Sequence, residues 1–399
     1  MTPRVQTAEA VLYLCIFLHV FTETLFAPFY PQLFTKVFEV EQLEYAGLYV
    51  AVCRLTVVAF APVWAWLSRR FNIQWLLLMS QLGTAAFTAC LPATASGTQF
   101  LLLSVALLAF KSGYLLVYSL AVKLAGEKRR AQAVGTYQGL FHLAIIASTL
   151  ASAWAIQLVA PLRLFYAVAL LDLVQALLCL YALSRVSVGG QPAARSTSEM
   201  PGLTGLLIPI GFLVFTFHLA SNVIRPYFTA FTGAEMGFAL SPDTGAVLFL
   251  LPSAMALAVM PAVCRLGRCR NQTVLYTSAI ALLSASTLLQ GLAKDLIWLL
   301  VGRIGFGLFL VVAQALLETR LFRENSTNLH FNYGVMVAVQ NGALLAAPVL
   351  ASALVDAFGL AAPLLGAAAI YALNLAAYQL VVAAGEGAQS LYTRSKGEQ

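Results

Sequence analysis

Six ionisable side chains stand deep inside apolar stretches: Glu23, Arg54, Lys111, Asp172, Arg225 and Arg303. In hydrocarbon each is costly unless it faces a cavity or a partner. They are four bases and two acids, so two cations are left over if every acid pairs with a base, and an anionic substrate would supply the missing charge. Lys111 lies roughly 18 Å from the outer end of its apolar segment at 1.5 Å of rise per residue, too deep to reach water along its own stem. Glu23, set between Phe21 and Phe26, reads as a carboxyl able to exchange protons near neutral pH. His19, four residues before it, shares its helical face. These two are the expected proton-coupling residues. Arg54 and Arg303 have a simpler alternative, snorkelling or bonding to backbone carbonyls, and Asp172 reads as a structural partner.

The same spacing arranges further polar residues in stripes. Lys111, Tyr114 and Tyr118 form one, Gln138 and His142 another, His218, Asn222 and Arg225 a third, and Arg303, Gln314 and Glu318 approximately a fourth. All but Glu318 are expected to contact substrate. The plain alternative is helix packing for the tyrosines and interhelical hydrogen bonding for the histidines and Gln138. Pro28 and Pro31 in the first segment, and Pro226 in the seventh, remove backbone donors and create bending points, so Pro28 and Pro226 are candidate gating positions. This is chemistry of binding and proton exchange. No nucleophile constellation and no phosphate-cradling G-x-x-x-x-G-K-[ST] loop occurs, and the only close cysteines, Cys264 and Cys269, lack the His or second pair that a zinc site needs. An enzyme, a cofactor and a metal are therefore not expected.

The elements that must carry these residues are membrane spans. The chain has 399 residues, 61% hydrophobic and 10% charged, with a mean hydropathy of +0.85, whereas a soluble domain is about 25% charged. A soluble enzyme, a disordered chain and a coiled coil are excluded. At about 20 residues per spanning helix there is room for roughly twelve spans. Apolar segments fall near 10–35, 45–68, 73–92, 98–123, 131–158, 161–185, 203–231, 243–264, 272–291, 295–320, 330–355 and 359–384. The first is too long and too interrupted for a cleavable signal peptide. A Gly-, Pro- and Ser-rich interval at 186–202 reads as a linker between an N-terminal six-helix bundle, 1–185, and a C-terminal one, 203–399. Of the 23 lysines and arginines, 16 fall in loops on one side and 3 on the other. By the positive-inside rule that puts both termini and the linker in the cytoplasm of a multi-pass plasma-membrane protein. The net charge of +7 is thus topology and not nucleic-acid binding.

Internal repetition supports the two halves. ASTLASA at 147–153 is echoed by APVLASA at 347–353, PVWAWLSRRFN from Pro62 by PAVCRLGRCR from Pro261, and Pro28-Phe29-Tyr30 by Pro226-Tyr227-Phe228. With its six-plus-six organisation and this loop motif the chain resembles the major facilitator superfamily over essentially its whole length. The family's loop pattern G-x-x-x-D-R-x-G-R is degenerate here: Ala65, Arg69, Arg70 and Asn72 stand at the first Gly, Asp, Arg and second Gly places, while Cys264, Arg265 and Gly267 stand in the second half. The resemblance implies an all-α fold of two pseudo-symmetric bundles, a cavity lined by helices 1, 4, 7 and 10, and gating by Arg70 and Arg265. The function it implies is secondary active transport by alternating access in a monomer. Proton-coupled export of a small organic anion, such as a carboxylate siderophore, is expected; a drug exporter or a proton-coupled importer of small anions is the alternative, and a transport-inactive sensor is the alternative of another class.

Overall fold

Within hydrocarbon every backbone polar group must be bonded inside its own segment, so long apolar runs fold as helices. In the computed structural model, residues 3–26, 30–40, 43–155, 158–184, 203–233, 238–266, 271–324 and 329–397 are described. The linker at 186–202 and Pro28 lie outside them, as does the side chain of Arg265. The helices are α1 (Pro3–Thr24), α2 (Tyr30–Phe38), α3 (Leu43–Leu67), α4 (Ile73–Cys90), α5 (Gly97–Lys111), α6 (Leu115–Ala155), α7 (Leu164–Ser184), α8 (Leu203–Val223), α9 (Phe228–Gly233), α10 (Pro242–Leu266), α11 (Gln272–Leu292), α12 (Leu296–Glu324), α13 (Leu329–Phe358) and α14 (Ala362–Gly397). Among the described residues nine helical stretches are long and apolar enough to cross a membrane, and two shorter apolar helices, Ile208–Val223 and Val247–Val263, accompany them.

The first, fourth and seventh expected spans are interrupted, the seventh between α8 and α9. The first ends at Thr24 and restarts as α2, where Pro31 occupies the first turn, whose amides have no intrahelical acceptor in any case. The fourth breaks at Ser112–Tyr114 into a 3-10 turn between α5 and α6. α6 itself runs through the fourth and fifth spans, and Gly126, at φ 69° and ψ 176°, leaves helical geometry between them; this backbone suits glycine, which carries no Cβ.

The chain divides into two compact units, one of Met1–Glu199 with Leu321–Leu345, the other of Met200–Arg320 with Ala346–Gln399. They differ from the halves expected from the sequence in the segment 321–345. In the first unit α1 lies along α6 and α7, and α4 packs on α5 and α7. Its core is aromatic, with Phe34 meeting Tyr49 at 5.1 Å and Phe100 at 5.8 Å, both edge-on, the geometry that ring quadrupoles favour. Segment 321–345 adds Phe322 and Tyr333, which pack against Tyr118 at 5.4 and 5.1 Å. In the second unit α14 packs on α8 and α11. There Tyr276 donates to Asn374 Oδ1 at 2.7 Å, and the Asn374 amide donates to the Leu213 carbonyl and Thr216 Oγ1, each at 2.8 Å.

Candidate functional site

The first unit holds a partly open cavity of about 190 Å³. α5 forms one wall, presenting Ser104, Leu107, Leu108 and Lys111, an i, i+3, i+4, i+7 face. Lys111 owes its place to the 3-10 turn that follows it. Breaking the helix deprives the last α5 carbonyls of their i+4 donors, and two side chains replace them: Trp64 Nε1 donates to the Ala109 carbonyl at 2.6 Å and Ser80 Oγ to that of Phe110 at 2.8 Å. Gly113 lets the turn come this close, since a Cβ there would stand 2.6 Å from Ser80 Oγ and 2.9 Å from Trp64.

Lys111 is 7% exposed. Its Nζ donates to Thr22 Oγ1 at 3.2 Å, and Thr22 in turn donates to the His19 carbonyl at 3.0 Å. Among the described residues no carboxylate lies within 4.0 Å of Lys111. Glu23, beside Thr22 on α1, has Oε2 3.4 Å from His19 Nε2 and Oε1 3.7 Å from Arg54 Nη1. Arg54 also donates to Asn341 Oδ1 at 3.3 Å. Two bases and one acid therefore face the cavity, clustered about residues 22 and 23. Much of the remaining wall is apolar: Val50, Val57, Leu91, Leu107, Leu108, Phe165 and Val168. Tyr49 closes a hydrogen bond to Ser104 at 3.1 Å. Asp172 sits behind the lining residue Thr88, accepting from Thr88 Oγ1 at 3.2 Å and from the Gln175 amide at 3.3 Å.

Of the residues singled out in the sequence, Glu23 and Lys111 line this cavity, and His19 stands behind Glu23. The stripe of Lys111, Tyr114 and Tyr118 does not survive, because the 3-10 turn changes the angular register. Tyr114 instead stacks on His19, with ring centres 3.6 Å apart, and Tyr118 stacks on Tyr137 at 3.7 Å. Gln138 and His142 are buried in α6 away from the cavity lining. His218, Asn222, Arg225, Arg303 and Gln314 belong to the second unit. His218 is buried, and the Asn222 amide donates to its carbonyl at 2.8 Å. Arg225 and Pro226 are exposed in the turn between α8 and α9, so Arg225 is off the helical stripe and Pro226 bends no helix. Gln314 donates to Glu318 at 3.1 Å.

Arg303 is no spare cation. Pro252 in α10 has no N–H to give to the Leu248 carbonyl four residues earlier, and Arg303 Nε donates to that carbonyl at 3.0 Å. The same guanidinium reaches the Phe249 carbonyl at 3.3 Å and Gln290 Oε1 at 3.4 Å, and lies 3.8 Å over the Phe228 ring. Arg70 rests on the Trp66 ring at 4.2 Å, whereas its neighbour Arg69 meets Phe331 of segment 321–345 at 5.3 Å.

Sequence reasoning singled out Arg54 as a deep cation without placing it among the substrate-binding residues, and it missed Thr22, Tyr30, Tyr49, Thr88 and Ser104. A signal existed for some of them: Val50, Arg54 and Val57 repeat at helical spacing, as do Ser104 and Lys111. For Thr22 and Thr88 there was none, since a hydroxyl in a span bonds its own helix as readily as a ligand.

No curated protein matches the sequence. Among solved structures the fold is similar to that of the human organic anion transporter MFSD10 (TETRAN), with a TM-score of 0.77 at 17% identity, covering 95% of this chain and all of that one. It is also similar to the transporter FucP in its outward conformation, with a TM-score of 0.70 at 14% identity over 94% of this chain and 98% of that one. The sequence profile described as Major Facilitator Superfamily matches residues 12–268. With that match across more than half its length, and a helical fold shared with transporters, the chain belongs to the major facilitator superfamily.

Proposed function

We propose that this secondary transporter carries a small organic anion through the cavity of its first unit, coupled to a proton on Glu23. The observation that carries the reading is Lys111: a buried ammonium in a cavity wall, held by one hydroxyl and, among the described residues, by no carboxylate. An anionic group entering there gains a charge-assisted hydrogen bond. The human fold relative is described as an organic anion transporter, the class that the cavity charge suggests independently. The charge bias of the loops argues for a plasma-membrane protein with both termini cytoplasmic.

Coupling follows from the order of charge. The Glu23 carboxylate is faced by His19 from α1, Arg54 from α3 and Lys111 from α5, with Tyr30 and Cys53 on the same wall. A proton on Glu23 dissolves its pair with Arg54 and leaves both cations to the ligand. Proton and anion therefore favour each other, and by reciprocity each tightens the other. Partners that bind together travel together, so an inward proton gradient drives uptake, the importer alternative. Export in exchange for a proton would instead need proton and substrate to compete for one group.

Accumulation of benzoate by proteoliposomes under an imposed proton gradient tests this. The parent is expected to concentrate the acid on the side to which protons flow faster than protein-free liposomes do under the same gradient, the excess over that passive distribution being the transport signal. Lys111→Ala should weaken its binding about ten-fold, from losing a hydrogen bond to a charged group. Glu23→Gln keeps shape and hydrogen bonding but cannot titrate, so binding should persist while concentration against a gradient stops. If Glu23→Gln still concentrates substrate at the parental rate above the protein-free background, Glu23 is not the coupling acid; if the parent moves no organic anion faster than protein-free liposomes, the sensor reading replaces transport.

A further inference from the structure

We infer that the ligand of this cavity is a small amphipathic acid, with one anionic headgroup on a compact apolar body of about the size of benzoate, and not a polycarboxylate. The inference rests on the anion reading of the same site and adds to it the number of charged groups, their location and the size limit.

The first ground is where the charge sits. Arg54 and Lys111 both gather about residues 22 and 23 of α1, Arg54 through Glu23 and Lys111 through Thr22. That corner can hold one anionic head. The side chains available to the rest of a ligand include Leu107, Leu108, Phe165 and Val168. A second carboxylate held away from the first would find no further cation among the lining residues, only that apolar wall and neutral hydroxyls, of which those of Tyr49, Ser104 and Thr88 already bond within the protein. An apolar body there is removed from water instead.

The second ground is volume. The cavity measures about 190 Å³, while a dry protein cavity of about 150 Å³ accommodates benzene. The difference leaves space for one carboxylate on the ring, or for a branched aliphatic acid of similar bulk. A siderophore that carries several carboxylates on a long scaffold would extend beyond the cavity through its open side, with its further charges away from Arg54 and Lys111. Carboxylate siderophores, expected from the sequence, are therefore too large and carry too many separated charges. Phe165 bounds the apolar end and is itself fixed by Phe26 at 4.8 Å and Phe100 at 5.8 Å, so the limit is set by packed rings and not by a loose side chain.

The test uses the full chain in detergent or liposomes and four probes: benzoate, its neutral isostere benzamide, citrate and 1-naphthoate. Ligand-induced thermal stabilisation and competition with labelled benzoate uptake are both read. Benzoate is expected to bind about ten-fold more tightly than each of the other three. Lys111→Met should erase the preference for benzoate over benzamide. Phe165→Ala should move the size limit, gaining 1-naphthoate while weakening benzoate; if that variant does not fold, Val168→Ala reads the same shift from the neighbouring turn of α7. Citrate or 1-naphthoate bound by the parent as tightly as benzoate overturns this inference and leaves the anion reading standing. Benzamide equal to benzoate, or no organic anion bound at all, overturns both.

Discussion

Lys111 and Arg303 have the same sequence description, a basic residue deep in an apolar segment, and packing gives them opposite duties. Arg303 spends its donors on the carbonyls of Leu248 and Phe249 and on Gln290, with an aromatic face beneath it. Removing it leaves those acceptors buried and unpaired, and groups bonded to a charge are the costly ones to orphan. Arg303→Ala should destabilise the protein by about 3 kcal/mol, read by thermal or denaturant unfolding in micelles. Lys111→Met should leave stability equal or higher, because a buried charge with no carboxylate in direct contact among the described residues is replaced by an apolar chain of similar length. Equal melting of the Arg303→Ala protein and its parent would sink this division of roles. The clue to Arg303 was in the sequence as Pro252, whose missing N–H frees the Leu248 carbonyl. Which side chain would come to that carbonyl from 55 residues away was not legible, because it depends on how α12 lies on α10.

At the scale of elements, the 3-10 turn between α5 and α6 has the largest consequence. An uninterrupted helix would send Lys111, Tyr114 and Tyr118 to one face; the turn sends the first to the cavity, the second to His19 and the third to the cluster of Tyr137, Phe322 and Tyr333. Its tolerance rests on Gly113, against which Ser80 and Trp64 pack while they cap the freed carbonyls of α5. Gly113→Val has no room for its side chain, so the turn must shift or the caps must let go. Overpacking of this kind costs typically 1–3 kcal/mol, and benzoate affinity should fall with the stability as Lys111 moves. Ser80→Ala should have a milder effect of the same sign, since it removes one cap without crowding. A Gly113→Val protein with parental melting and parental benzoate binding would count against the turn as the device that aims Lys111.

For the molecule as a whole, the segment 321–345 sets the terms of any rearrangement. It belongs by packing to the first unit, through Phe322, Phe331 and Tyr333, although the chain on either side of it belongs to the second. Gly334 passes so close to α3 that any side chain would meet Ala65 and the Ala61 carbonyl. An alternating-access cycle that moves the second unit must pull this segment away or bend α12 and α13. Tethering it should therefore stop turnover while sparing the binding cavity. With the native cysteines replaced, Arg69→Cys and Phe331→Cys, joined by a short thiol cross-linker, should abolish benzoate transport and retain benzoate binding. Transport at the uncross-linked rate after complete linkage would sink the idea. In the parent, Arg69, which stands where the family's loop pattern has its acid, lies over the Phe331 ring as a cation on an aromatic face.

What the sequence determined by itself is everything that follows from local physics. Apolar runs of spanning length must be helices in lipid, which made the membrane class and the helical fold readable from hydropathy alone. A lysine too deep to snorkel must have a cavity or a partner, which picked out Lys111, and Glu23 was picked out in the same way. What only the tertiary structure decided is which of these groups face one another. The sequence counted two spare cations; packing gave Arg54 to Glu23 and Asn341, handed Arg303 to backbone carbonyls and left Lys111 to a threonine hydroxyl. The reason is that helical periodicity states the face on which a residue lies, while partnership depends on the neighbouring helix, its register and any break in it. Those are set by packing between segments far apart in the chain.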